Sequence, residues 1–139
     1  MAQPLLYRDS TMKPTKAFSI ASGVALATGS LAYLVGLYNA TMMLNEKGYY
    51  FAVLLLGLFG VVSLQKSIRD KLAGIMVTKP YMVACVAATV AGIALLVIGL
   101  INADLLLSEK GFFGMAYTLS LFAAIAVQKN VRDSAEVTD

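Results

Sequence analysis

The stretch Gly36–Asp70 reads GLYNATMMLNEKGYYFAVLLLGLFGVVSLQKSIRD, and Gly99–Asp133 reads GLINADLLLSEKGFFGMAYTLSLFAAIAVQKNVRD, at an offset of 63 residues. Of the 35 aligned positions, 15 are identical, and others exchange like for like, such as Tyr49 with Phe112 and Ile68 with Val131. Upstream the likeness thins to a pattern in which Ala21, Ala25 and Gly29 align with Ala84, Ala88 and Gly92. One unit has been used twice. Each unit is expected to be a long helix, a tight turn and a shorter helix.

Working outward, the composition says where these helices lie. The chain has 139 residues, 59% of them hydrophobic and 14% charged, with a mean hydropathy of +0.76. A soluble domain of this size has too much surface to leave so little of it polar. No Asp, Glu, Lys or Arg lies between Lys16 and Glu46, Lys47 and Lys66, Lys79 and Asp104, or Lys110 and Lys129. About 20 mostly apolar residues cross the hydrocarbon of a bilayer as a helix, and each gap supplies nearly that or more. A soluble bundle would need helices apolar on every face. The expected fold is therefore an all-α integral membrane protein with four transmembrane helices, arranged as two tandem helical hairpins. Residues 1–16 read as a flexible N-terminal tail and 17–71 as the first two-helix membrane repeat. A linker covers 72–79, the second repeat covers 80–133, and a C-terminal tail covers 134–139.

Two spans return the chain to its starting side, so the copies run in the same sense through the membrane. This parallel repeat differs from the inverted repeats of many transporters. Nine basic residues (Arg8, Lys13, Lys16, Lys66, Arg69, Lys71, Lys79, Lys129 and Arg132) fall on one side, against Lys47 and Lys110 on the other. The positive-inside rule then places both termini and the linker in the cytoplasm. The net charge of +3 follows from that topology and gives no reason to invoke nucleic acid.

The string GLYNA, then LNEKGYYFAVLLLGLF, then QK and RD, with its echo GLINA, LLLSEKGFF, SLF and QKNVRD, resembles the YiaA/YiaB inner-membrane proteins of Gram-negative bacteria. The resemblance runs from about Ala17 to Asp133. It implies two copies of the YiaAB two-helix domain and an inner-membrane location, and it brings no catalytic residue with it.

Several polar features invite a functional reading. Asn39 and Asn102 occupy matching places near the ends of the first and third helices, as boundary markers or as interhelical hydrogen-bonding groups. The boundary reading is preferred because Thr41 is matched by Asp104, and a charge in hydrocarbon is costly. The turns Asn45-Glu46-Lys47-Gly48 and Ser108-Glu109-Lys110-Gly111 suggest Asn45 and Ser108 as helix N-caps. Glu46 and Glu109 then favour the helix dipole, and Gly48 and Gly111 allow close approach at the bend. A repeated Glu–Lys catalytic pair is the competing reading, but adjacent helical residues diverge by about 100°. Tyr49, Tyr50, Phe112 and Phe113 are expected to form an interfacial aromatic belt.

At the opposite end, Gln65-Lys66-x-x-Arg69-Asp70 recurs as Gln128-Lys129-x-x-Arg132-Asp133. This fits helices that extend their charges to lipid headgroups, or a protein-docking surface. Ala21, Ala25 and Gly29, with Ala84, Ala88 and Gly92, form stripes along which the first and third helices are expected to pack, within one chain or between subunits. Cys85, the single cysteine, reads as an inert packed thiol.

With no histidine, no carboxylate inside a span and no phosphate loop, neither an enzyme, a metal site nor a cofactor is expected. The leading expectation is a non-enzymatic membrane component binding lipid or a partner protein, with homo-oligomers expected. The alternative is a small transporter or channel subunit with a passive polar path past Asn39, Asn102, Thr28, Ser30 and Ser120.

Overall fold

A computed structural model describes residues 14–138. Residues 1–13, most of the expected N-terminal tail, lie outside the described part. Four helices follow in order: α1 (Lys16–Asn39), α2 (Leu44–Leu72), α3 (Lys79–Asn102) and α4 (Leu107–Thr138). All four are long and apolar enough to cross a bilayer.

The helix ends explain the lengths. Thr15 opens α1, its hydroxyl oxygen accepting from the Phe18 N–H at 3.1 Å. Pro80 sits in the first turn of α3, where its missing N–H costs nothing. α2 stops where Gly74 adopts φ +83°, and the Ile75 N–H folds back to the Asp70 carbonyl at 2.8 Å. The second helix of each repeat is the longer one, 29 and 32 residues against 24 and 24. This reverses the expected order. At 1.5 Å per residue, α2 spans about 44 Å against about 30 Å of hydrocarbon, so its QK..RD end projects beyond the apolar layer. α4 also runs through Ser134–Thr138, where a tail was expected.

The two helices of a hairpin scarcely touch. α1 packs along α4 and α2 along α3, while α2 and α4 meet in the middle and α1 and α3 share no contact. Each first helix therefore lies against the second helix of the other repeat. Matching residues occupy matching places: Ser22, Gly29, Tyr33 and Leu37 are the buried positions of α1, and Cys85, Gly92, Leu96 and Leu100 are those of α3. The repeats are thus intertwined about an approximate two-fold axis along the bundle, as a parallel duplication requires. Both turns lie at one end (the turn end), and the described termini and linker at the other (the terminal end).

Within one chain, this arrangement corrects the packing expected for the small-residue stripes. Gly29 and Gly92 are buried, but against α4 and α2 and not against each other. Ala25 and Ala88 are half-buried, and Ala21 and Ala84 are exposed. In lipid, where apolar contact alone gives little preference for a helix over acyl chains, such glycines act by letting backbones approach.

The core lies on the turn-end side of centre. Tyr33, Tyr50, Phe113 and Tyr117 interlock there, with Tyr33 edge-on to Phe113 at 5.5 Å between ring centroids and tilted to Tyr117 at 6.0 Å. The expected aromatic belt is thereby divided. Tyr50 and Phe113 are core residues, because their helix face turns toward the axis, while Phe112 is exposed and Tyr49 half-buried. The Tyr33 hydroxyl donates to the Tyr50 carbonyl at 2.7 Å and the Tyr117 hydroxyl to the Val53 carbonyl at 3.1 Å. Each tyrosine thus ties its own helix to α2.

Candidate functional site

The projecting ends of α2 and α4 carry the densest chemistry. α-Helical spacing sets Lys66 over Asp70 and Lys129 over Asp133, with N–O distances of 2.7 and 2.8 Å. Arg69 reaches across to Asp133 at 2.5 Å, and Arg132 reaches across to Asp70 at 3.1 Å. Each aspartate therefore receives a lysine from its own helix and an arginine from the other repeat. The reciprocity accounts for the retention of Lys, Arg and Asp in both copies, which spacing within one helix could not do. Gln65 and Gln128 are half-buried beside this cluster.

The cluster is asymmetric in exposure. The Asp70 and Asp133 side chains are 11% and 8% exposed, whereas those of Lys66 and Lys129 are 58% and 52% exposed. The carboxylates face inward and the ammonium groups outward. Both aspartates lie past the last apolar turn, outside the membrane-spanning part of their helices. The hydrogen bond from Lys66, joined by that from Arg132, holds the Asp70 carboxyl below its ordinary value against a smaller opposing effect of burial. For Asp133, burial pushes upward most strongly, but the hydrogen bonds from Lys129 and Arg69 and their charges together outweigh it and leave a net lowering. Four cations around two anions leave this end positive, and Lys16, Lys71 and Lys79 are exposed at the same end.

One turn deeper, two matched contacts escape sequence reasoning. Between α1 and α4, the Asn130 amide donates to the Ser22 hydroxyl at 3.2 Å. At the equivalent place between α2 and α3, the Ser67 hydroxyl lies 3.7 Å from the Cys85 sulfur. Cys85 is 4% exposed, which agrees with a packed thiol. Each pair joins positions 22 and 130, or their counterparts 85 and 67. The only available signal was the alignment of Ser22 with Cys85, which becomes informative once their helices are known to face the other repeat.

The turn end behaves differently. The N-cap of α2 is Met43, and α4 begins at Leu107, so Asn45 and Ser108 lie inside the helices and do not cap them. The glutamates satisfy the free backbone donors instead. Glu46 accepts from the Met43 N–H at 3.2 Å, and Glu109 from the Leu106 N–H at 3.0 Å. This is the reaching-back half of a capping box. Lys47 donates to the Tyr38 carbonyl at 2.8 Å. Glu46 and Lys47 therefore serve different backbone groups and do not form a reactive pair. No atom lies within 4 Å of a Cβ built at Gly48 or Gly111, so neither glycine serves a close approach.

Asn39 and Asn102 are exposed at the last turns of α1 and α3. Their amides donate to the Val35 and Ile98 carbonyls, each at 2.8 Å. Each amide thus bonds its own helix and does not join helices. The Ser120 hydroxyl is fully buried and donates to the Ala116 carbonyl at 2.7 Å, while Thr28 is exposed and Ser30 half-buried. These five residues are not brought together along one path.

Comparison with known proteins supports the repeat reading independently. The family model described as the yiaA/B two helix domain matches twice, at residues 18–70 and 81–133. The chain is 58% identical over 125 residues to the Inner membrane protein YiaA of Escherichia coli K12, covering 90% of this chain and 85% of that protein. It is also 42% identical over 57 residues to the Uncharacterized membrane protein YubF of Bacillus subtilis 168, covering 40% of this chain and 66% of the relative. No solved structure matches significantly.

Proposed function

The chain belongs to the yiaA/B two-helix domain family, and on that footing we propose that it is a non-catalytic membrane component whose basic end binds anionic lipid headgroups. The observation that carries this reading is the exposure pattern of the charge cluster. Asp70 and Asp133 are turned inward and neutralise the arginines, while Lys66 and Lys129 present their ammonium groups outward at headgroup level. A juxtamembrane lysine near an anionic surface contributes about 1 kcal/mol.

The 58%-identical relative is by name an inner membrane protein, so the same location in a bacterial cell is part of the proposal. Both termini then face the cytoplasm, as the bias of basic residues supports. The non-catalytic reading draws support from the spans themselves, whose apolar parts carry no Asp, Glu, Lys or Arg. An intramembrane ionisable group is the usual mark of ion coupling.

The test is native mass spectrometry of detergent-purified protein titrated with phosphatidylglycerol or phosphatidylcholine. Phosphatidylglycerol should bind several-fold more tightly, and Lys66→Gln with Lys129→Gln should remove most of that preference. Equal binding of the two lipids by the unaltered protein would overturn the reading.

A further inference from the structure

Because the helices of a hairpin barely touch, each repeat leaves a groove on its outer face, and the two grooves differ. Between α3 and α4 the hollow is about 370 Å³ and runs the middle length of the helices. Ile93 and Val97 form one wall, Gly114, Thr118 and Phe122 the other, and Val61 of α2 contributes from behind. In the first repeat the hollow between α1 and α2 is of similar volume, about 410 Å³, but it lies at the turn end, away from the terminal-end lysines, and Phe51 stands in its wall. Phe51 is the counterpart of Gly114. A Cβ built at Gly114 meets nothing within 4 Å, so the missing side chain has left open space.

The register of the helices continues this groove toward two lysines at the terminal end. On α4, Thr118, Phe122 and Ile125 line the groove at spacings of four and three, and Lys129 follows four residues later on the same stripe. On α3 the stripe running back from Ile93 through Thr89, Val86 and Met82 ends at Lys79. Both lysines are exposed at the terminal end. Lys129 spends one N–H on Asp133 and keeps two further donors. The lining of the hollow ends at Thr89 and Ile125, and beyond it toward the terminal end the same stripes carry Lys129 and, farther out, Lys79. An apolar channel continued by two exposed ammonium groups has the charge pattern of one molecule, an anionic phospholipid with its tail in the groove and its phosphate toward the lysines.

We propose that the α3–α4 groove is a binding site for one anionic phospholipid, with an acyl chain seated over Gly114 and the phosphate held by Lys79 and Lys129. The inference rests on the reading of the basic end as a headgroup surface and adds a tail site to it. The first repeat keeps the equivalent lysines, Lys16 and Lys66, but has Phe51 in place of Gly114. Headgroup attraction is thus available on both sides, and the tail site on one.

Native mass spectrometry with palmitoyl-oleoyl phosphatidylglycerol tests this on the full chain in detergent. The unaltered protein should hold one lipid in a tight class, above weaker binding. Gly114→Phe should weaken that class tenfold or more, while Phe51→Gly should add a second tight lipid. Helical content and elution volume establish that each variant is folded; if Gly114→Phe is not, Thr118→Phe fills the same groove from an exposed position. Unchanged tight binding in a folded filling variant overturns the proposal. If Lys66→Gln with Lys129→Gln still abolishes the preference for phosphatidylglycerol in that case, the surface reading stands alone. A Phe51→Gly protein that gains no second tight lipid also overturns it.

Discussion

The α1–α4 and α2–α3 contacts occupy equivalent places in the duplicated bundle, yet they hold their helices together by different means. Along α2–α3 the backbones nearly meet. A Cβ on Gly92 would lie 3.1 Å from both the Cα and N of Gly57, and one on Gly60 would lie 2.9 Å from the Thr89 nitrogen. Along α1–α4 one such approach remains, since a Cβ on Gly29 would lie 3.0 Å from the Ser120 nitrogen. The counterparts of Gly57 and Gly60, however, are Ser120 and Ala123, and Tyr33 and Tyr117 stand where α2–α3 has Leu96 and Leu54. The exchanges are coupled, because Tyr117 reaches over Gly57 and Gly92 to bond Val53, whereas its counterpart Leu54 goes with Ser120 at the place equivalent to Gly57. Duplication conserved the topology and one close glycine in each contact, Gly29 and Gly92. The two then diverged into a glycine seam, where Gly57 and Gly60 join Gly92, and a ring-filled seam, where Tyr33 is added.

The largest effect should come from closing the space in the glycine seam. Gly60→Ala or Gly92→Ala places a methyl against backbone that cannot swing aside, and overpacking of this kind costs about 1–3 kcal/mol. The reverse exchange at the equivalent place, Ala123→Gly, loses only helix propensity and a methyl contact, about 1 kcal/mol. Thermal unfolding in detergent checks the pair. Comparable losses for Gly60→Ala and Ala123→Gly would mean that the two seams do not differ as described.

Removing a buried hydroxyl in the ring-filled seam comes next. Tyr33→Phe takes away the bond to the Tyr50 carbonyl while keeping the ring in place, which should cost about 1 kcal/mol. If Tyr33→Phe is neutral in the same assay, the hydroxyl adds nothing to the ring-filled seam and the contrast fails.

These particulars show what the sequence could and could not disclose. The four spans, the duplication and its parallel sense were legible, because they depend on hydropathy and identity along the chain. The pairing of helices was not. Gly29 and Gly92 stood out as packing residues, but their partners sit on α4 and α2, and no local pattern distinguishes those partners from each other. Asn45 and Ser108 looked like caps because capping chemistry is read from residue type, yet both helices begin two residues earlier than such caps would set and use the glutamates. The Lys–Asp spacing of the terminal end was visible, while the crossed Arg69–Asp133 and Arg132–Asp70 pairs required the intertwined fold.

Those crossed pairs are shared symmetrically by both halves, so they provide an internal control. A double-mutant cycle of Arg69→Gln and Asp133→Asn should give a coupling of about 1 kcal/mol, the upper range for partly solvated pairs. The Arg132–Asp70 cycle should give a coupling of the same sign. Both aspartates are lowered below their unfolded value, so their contribution is fully present above about pH 4 and disappears as pH falls through the folded values. The unfolding temperature should therefore be flat through neutral pH and drop at the acid end. Asp70→Asn with Asp133→Asn should flatten that drop, and an equally steep drop in the double variant would place the acid sensitivity elsewhere.

The smallest effect belongs to the pair where the seams are most alike. Ser22→Cys reproduces in α1 what α3 already has at Cys85, and Cys85→Ser does the converse. Ser22→Cys gives Asn130 a poorer acceptor in place of the hydroxyl oxygen that now receives its amide at 3.2 Å, a loss of about 0.5–1 kcal/mol. Cys85→Ser sets a hydroxyl beside Ser67, which already donates to the Ser63 carbonyl at 2.9 Å and can still accept. The new hydroxyl can also donate back to its own helix, as Ser22 does to Phe18 at 2.8 Å. Cys85→Ser should therefore be within about 0.5 kcal/mol of neutral. Unfolding temperatures of the two variants, measured side by side, decide the matter. If Cys85→Ser proves the more damaging, the sulfur is contributing to the glycine seam as an apolar packing group, and that seam extends to the terminal end of the bundle.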